Sequence, residues 1–232
     1  ASIVSHGHGA MVAGLVTDLL VCPEVGRIVI TQNIPEVANY PPDNRIEVNC
    51  NAAPRGYGAN QNAALLTATT PFFCVLNPDI RISGNPFPAL LNAMDDQRLA
   101  ACAPIIVTLE GNREDSARKF PTTMSLLGKM LRLCDGTYSS IAQTQNPDWL
   151  AGMFLLLRAS AFREVGGFDE RYFLYYEDVD LGWRLRGCGH SLRQVQEATA
   201  THDAQRASRR NWRHARWHLA SMARFLLRSV PH

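Results

Sequence analysis

A chain of 232 residues, 46% hydrophobic and 19% charged, has the composition of one sizeable folded domain and not that of a disordered segment. Its net charge of +2 is too small to mark a class of partner, yet ten arginines and only two acids, Glu197 and Asp203, lie from Arg184 onward. The six cysteines are scattered without a C-x-x-C pair, which gives no zinc knuckle and reads as reduced thiols in a cytoplasmic protein; neither a signal-peptide pattern nor a transmembrane-length apolar run is visible.

The first half alternates strand-like and helix-like runs. "ASIVS" (1–5) reads as a strand, 10–21 as a helix, and 27–33 and 45–51 as strands. A helix follows over 58–69, a strand over 72–79 broken by Pro78, a helix around 86–96 and a strand over 99–107. This alternation predicts an α/β fold with a mainly parallel sheet covered by helices on both faces. Residues 108–147 read as an irregular excursion with a helix near 123–133. Then come a strand over 149–158, a short helix over 159–165, a helix starting near Asp178 and a strand pattern ending at His202. The division expected is one domain over 1–205, with halves 1–107 and 108–205, and a basic amphipathic helix in 206–232. On that helix Trp212, Ala215, Leu219, Met222, Ala223 and Leu226 share one side; Arg210, Arg213, Trp217, Arg224 and Arg228 share the other, a basic face that suits either solvent or a membrane surface.

Several stretches carry chemistry. The glycines of "SHGHGAMVAG" (5–14) make neither a dinucleotide fingerprint, since Val12 replaces the third glycine and Thr31, Gln32 and Asn33 replace the strand-end acid, nor a P-loop, since Leu15 and Val16 stand where Lys and Ser/Thr belong. "APRGYGANQN" (53–62) sets Arg55, Gly56 and Gly58 before a helix, where a guanidinium and the helix dipole both favour an anion. "VLNPDI" (75–80) ends a strand with Asn77 and Asp79, at the edge where open α/β sheets bind ligands; an Asx-Pro turn explains the tripeptide equally well. "YYEDVDLGWRLRGCGH" (175–190) crowds Glu177, Asp178 and Asp180 into four residues. A helix cap needs only one of these acids, and a carboxylate held ionised beside a cleft can take a proton from an alcohol.

Taken together, "PRGYGANQNAA", "VLNPDI", the long block from Trp149 to His190, and His202 resemble family 2 glycosyltransferases, in particular the rhamnosyltransferase-like branch, over roughly residues 1–205. The resemblance implies a GT-A fold (Rossmann-like) and inverting transfer of a sugar from a nucleoside-diphosphate donor, thymidine- or uridine-linked, with a deoxysugar such as rhamnose expected. The acceptor would be a hydroxyl of a saccharide or lipid-linked saccharide. Asp178 matches the family's base, with Glu177 tuning it. Asp79 and His202 match its metal site for Mn²⁺ or Mg²⁺, with Asn77 standing where an acid is usual. Arg55, Gly56 and Asn60 fall on the donor side and Gln32 and Asn33 near the nucleoside. Trp149 and Gly152 fall on the acceptor side, where an aromatic face can stack on a sugar, and Asp180 either supports its helix or meets the acceptor. The alternative, prompted by Asn77, is a sugar-nucleotide-binding module without turnover. Nucleic acid is not expected as a partner. Peripheral contact with the inner membrane face through the C-terminal helix, and a homodimer, remain open.

Overall fold

The computed structural model describes residues 1–120, 146–203 and 212–228. Ten strands and six helices follow one another in it: β1 (Ser2–Ser5), α1 (Gly9–Leu20), β2 (Ile28–Gln32), β3 (Ile46–Cys50), α2 (Tyr57–Leu66), β4 (Phe72–Leu76), β5 (Ile80–Arg81), α3 (Phe87–Ala93), β6 (Leu99–Thr108), β7 (Ala117–Arg118), β8 (Trp149–Leu150), β9 (Phe154–Arg158), α4 (Ala159–Glu164), α5 (Glu177–Gly187), β10 (Ser191–His202) and α6 (Trp212–Arg228). The helix expected near 123–133 lies outside the described residues.

Eight strands form one sheet in the order β3-β2-β1-β4-β9-β6-β10-β5, and β7 and β8 pair separately. The sequence alternation translates directly into this layering. Ile28 and Ile30 join the core with α1 and α3, whereas Val29 between them joins the core with α2, α4 and α5; Cys74 and Leu76 against Phe73 and Val75 do the same on β4. A period of two with both phases apolar is what a sheet covered on both faces requires.

Most ladders are parallel, but β9 runs antiparallel to both β4 and β6, and β5 antiparallel to β10. These exceptions build the site. The carboxyl ends of β1, β2, β4, β6 and β10 share one edge, and the reversal of β9 brings its amino end there too, with Leu76 opposite Phe154. The single strand expected over 149–158 is accordingly two, since Ala151–Met153 turn between β8 and β9.

Helix α6 sits the other way round from the expectation. Trp217 packs at 4.9 Å on Phe173, and Ser221 and Phe225 are buried, while Trp212, Leu219 and Leu227 are 68%, 59% and 80% exposed. The inward face is chosen by ring and hydrogen-bond partners in Tyr172–Tyr176, not by aliphatic content.

Candidate active site

At the shared edge the residue after β4, Asn77, bonds its N–H to the Met153 carbonyl at 2.9 Å. The Tyr57 hydroxyl at the start of α2 donates to Asn77 Oδ1 at 3.0 Å and reaches the Gly152 carbonyl at 3.3 Å. On its other side Gly152 donates its N–H to Asp178 Oδ2 at 3.0 Å, while the Val179 N–H bonds Asp178 Oδ1 at 2.8 Å. Burial raises the Tyr57 phenol far above its ordinary value, and the carboxylates of Glu177, Asp178 and Asp79 all add to that rise, so the two acid motifs converge on one hydroxyl.

Glu177, buried, and Asp178, partly buried, open α5 as neighbours. Burial raises both carboxyls, and the charge of Asp178 adds to the rise at Glu177. At Asp178 the rise is opposed by backbone N–H groups, that of Gly152 foremost, and by the Arg118 charge. Glu177 Oε2 is buried with no hydrogen-bond partner. The N–H groups of Gly152 and Val179 thus favour ionisation of Asp178 over that of Glu177, whose Oε2 has no such partner.

The approach to this pair is strained. Tyr175 and Tyr176 both hold left-handed backbone, with φ of 70° and 66°, at a cost of about 1–2 kcal/mol for each non-glycine residue. Strain of this kind persists only where surrounding contacts over-determine it.

Asp79 and His202 also meet. Residues 80–81 pair with 201–202, and the Asp203 N–H bonds the Asp79 carbonyl at 2.8 Å. His202 Nε2 stands 3.1 Å from Asp79 Oδ2, and its Nδ1 stands 2.9 Å from Glu114 Oε2. Asp79, and Glu114 behind the ring, push the imidazole up to about 9 despite its partial burial. Sequence reasoning missed Glu114: it comes from the irregular stretch after β6, and the bond from the Glu114 N–H to the Ile106 carbonyl, next to the bridge between Val107 and Arg113, fixes it there. Among the described residues no three His, Cys, Asp or Glu side chains share a point where they could hold a metal by themselves; Glu114 faces the back of the ring. Asp79 Oδ1, however, is buried without a partner. One orphaned carboxylate oxygen and one imidazole, backed by a second-sphere carboxylate, fit a divalent cation that takes its remaining ligands from elsewhere.

The donor-side asparagines act through structure. Asn33 Oδ1 accepts the Arg55 N–H at 2.8 Å and its Nδ2 donates to the Arg55 carbonyl at 2.9 Å. Asn60, fully buried, accepts from Asn51 Nδ2 at 2.7 Å and donates to the Gly56 carbonyl at 3.1 Å. Asn33 and Asn60 thus spend their amides holding the loop from which the Arg55 side chain projects, exposed and without a hydrogen bond or ion pair among the described residues. Gly56 lets this loop cross the next segment closely, since a Cβ there would stand 3.1 Å from the Phe173 carbonyl. Gln32 is buried at the end of β2, where its Oε1 receives the Cys50 thiol at 3.0 Å.

Of the residues expected on the acceptor side, Trp149 and Asp180 are buried, and for Asp180 the helix-supporting alternative is the one seen. Trp149 is only 8% exposed, donates its indole N–H to the Lys119 carbonyl at 3.1 Å and lies under Arg118 at 5.3 Å, which leaves no open face for a sugar. Asp180 has no exposure and is ion-paired to Arg184 at 2.6 Å, so it supports α5 and does not reach a cleft. Gly152 does stand at the site, and its role there is to aim Asp178.

A mostly parallel α/β sheet whose carboxyl edge gathers a cradled acid pair, a carboxylate–histidine pair and an arginine loop defines a GT-A glycosyltransferase. No family model matches the chain. It is 30% identical over 245 aligned residues to the rhamnosyltransferase WbbL of Escherichia coli K12, which spans 97% of this chain and 91% of that protein. It is 37% identical over 139 residues to the N-acetylglucosaminyl-diphospho-decaprenol L-rhamnosyltransferase of Mycobacterium tuberculosis, covering 55% of this chain and 45% of that one. Among solved structures, the mannosyltransferase PcManGT of Pyrobaculum calidifontis, in complex with GDP-Man and Mn²⁺, superposes with a TM-score of 0.66 at 13% identity over 99% of this chain and 64% of that chain, a likeness of fold. The chain belongs to the rhamnosyltransferase-like branch of the family 2 glycosyltransferases. It is a transferase that takes a sugar from a nucleotide-sugar donor.

Proposed function

We propose that the protein transfers a deoxysugar, rhamnose foremost, from a thymidine-diphosphate donor to a hydroxyl of a lipid-linked saccharide, with inversion at the anomeric carbon. The observation that carries this reading is the cradle around Asp178. A partly buried carboxylate whose basicity is raised by desolvation, yet whose ionised form is kept available by backbone N–H groups, suits removal of a proton from an attacking alcohol. The same hydroxyl attacks in line as the nucleoside diphosphate leaves. Glu177, protonated beside it, keeps a second negative charge out of the pocket. Arg55 meets the diphosphate, on a loop that Asn33 and Asn60 hold in place, and Gln32 lies at the nucleoside end.

Asp79 and His202 would hold a divalent cation, with Glu114 fixing the imidazole. When bound, that ion supplies neutralisation of the charge that builds on the departing diphosphate. Asn77 leaves the protein one charge short of the family's usual pair at this point, and its amide oxygen serves instead as the acceptor for Tyr57.

The mycobacterial relative's name specifies a decaprenyl-diphosphate-linked acceptor, and a lipid-linked acceptor here agrees with the outer face of α6. There Trp212, Leu219 and Leu227 are exposed on the same side as Arg216, a pattern that suits an anionic bilayer surface. No helix among the described residues is long and apolar enough to cross a membrane.

The test is transfer from dTDP-rhamnose to N-acetylglucosaminyl-diphospho-polyprenol with Mn²⁺, read as diphosphonucleoside release and as product stereochemistry. Asp178→Asn is expected to lose about 10²–10⁴ in kcat with donor affinity intact. An unchanged rate in that variant would overturn the base assignment, and donor binding without release of dTDP to any acceptor would establish the binding-module alternative.

A further inference from the structure

Five consecutive residues before the acid pair each meet a residue of α6. Arg224 lies 6.0 Å over the Tyr172 ring, and Trp217 packs on Phe173 at 4.9 Å. Ser221 Oγ donates to the Leu174 carbonyl at 3.0 Å, and Tyr175 Oη stands 2.8 Å from His214 Nδ1. Tyr176 lies between His218 at 5.4 Å and Phe225 at 5.9 Å. The contacts fall at Trp217, Ser221 and Arg224 and at His214, His218 and Phe225, the i, i+3/i+4 rows of one helix face. The segment they hold contains the two left-handed tyrosines, and the next residues are Glu177 and Asp178.

We propose that the inner face of α6 is a clamp that holds Tyr175 and Tyr176 in left-handed backbone, and that His214 and Ser221 are thereby positioning residues for Asp178. Non-glycine residues leave this conformation when nothing holds them. If Tyr176 relaxed, the first turn of α5 would rotate, and Asp178 would move off the Gly152 and Val179 N–H groups. Interactions supplied by an element far along the chain, on a face not itself lined by the acid pair, explain why these two tyrosines tolerate a conformation suited to glycine. Because the outer face of the same helix is the one assigned above to the bilayer, the clamp would link a surface-bound helix to the aim of the base. The clamp's effect on transfer, though not its effect on geometry, rests on the reading of Asp178 as the base.

The test uses the full chain carrying His214→Ala and Ser221→Ala, substitutions that favour helix and remove the two hydrogen bonds. Two readouts are taken: hydrogen exchange at the Gly152 and Val179 amides, which needs no substrate, and kcat against donor KM. Exchange at both amides is expected to rise about tenfold, with β1 and β4 protected as before, and kcat to fall about tenfold with donor KM within twofold. Adding Tyr175→Gly and Tyr176→Gly, which removes the cost of positive φ, is expected to recover most of the lost protection and rate. Unchanged exchange at the two amides, or no recovery with the glycines, would overturn the clamp. Raised exchange that the glycines reverse while transfer stays at the wild-type rate would uphold the clamp and overturn Asp178 as the base. Should the double variant fail to fold, His214→Gln alone, which keeps a side-chain amide near the Tyr175 hydroxyl, is expected to stay within threefold of wild type, and His214→Ala alone to show the larger loss.

Discussion

The backbone N–H of Gly152 lies 3.0 Å from Asp178 Oδ2 and ties the turn before an antiparallel strand to the first turn of a helix 26 residues further on. Glycine is not demanded there by space, since a Cβ would stand 3.6 Å from that of Asp178, an ordinary contact. What matters is the aim of the N–H. It stabilises the ionised carboxylate against the burial that would otherwise keep it protonated.

From this balance follows a pH dependence. Both carboxyls of the Glu177–Asp178 pair titrate above the usual carboxylate range of about 4. The rate should therefore rise with pH, with an acid limb above that range, and Glu177→Gln, which puts a neutral amide where the neighbour is already protonated as Asp178 ionises, should leave that limb in place. Stability runs the opposite way. A carboxyl with a raised folded-state value binds more protons folded than unfolded, so its stabilising contribution is full below the unfolded value and is lost as pH climbs through the folded one. Thermal unfolding between pH 5 and 8 should show wild-type stability declining, and Glu177→Gln should flatten the decline and raise the melting temperature at neutral pH.

Tyr57→Phe removes the donor shared by Asn77 and the Gly152 carbonyl. Two acceptors at the edge of the cleft then lose a partner, at about 1–3 kcal/mol in unfolding free energy. Transfer is expected to weaken less than in Asp178→Asn, because Gly152 still bonds to Asp178. Denaturant unfolding together with initial rates distinguishes the two effects, and a rate loss equal to that of Asp178→Asn would mean that the hydroxyl itself handles the proton.

Glu114→Gln keeps a hydrogen bond to His202 but removes the charge that holds the ring. Mn²⁺ affinity, measured by calorimetry with dTDP present, should fall about 10–100-fold, the usual cost of losing a second-sphere carboxylate. His202→Ala should lower it further. If neither changes affinity, the cation is held elsewhere.

Asn60→Ala removes one of two hydrogen bonds from Asn51, which keeps Asn33, and the side-chain donor from the Gly56 carbonyl, which keeps the backbone N–H of residue 60. The loop bearing Arg55 loosens, so donor KM should rise with kcat less affected, and Arg55→Ala should reproduce the KM change without the loss of stability.

Much of the fold was legible along the chain. The strands at 2–5, 28–32, 46–50 and 72–76 and the helices between them announced themselves because apolar periodicity is a local property that packing against both faces preserves. The reversal of β9 was not legible, since antiparallel and parallel strands share the same pattern. At the site the sequence marked Asp178, Asp79 and His202 through resemblance, and the structure brings each to one edge. It hid Glu114, which stands in an irregular stretch with no pattern to single it out. It also suggested ligand contacts for Asn33, Asn60, Asp180 and Trp149, whose polar groups are taken up within the protein, because residue type reveals hydrogen-bonding capacity and not the partner that uses it.

The amino-acid order by itself determined the alternation of elements, the layered core and the family, all of which depend on neighbours within a few residues or on matching motifs. Tertiary structure alone decided which acid is cradled, which nitrogen of His202 faces Asp79, and which side of α6 turns inward. Those outcomes depend on groups tens to more than a hundred residues apart meeting within about 3 Å, and a short-range interaction of that kind leaves no periodic trace along the chain.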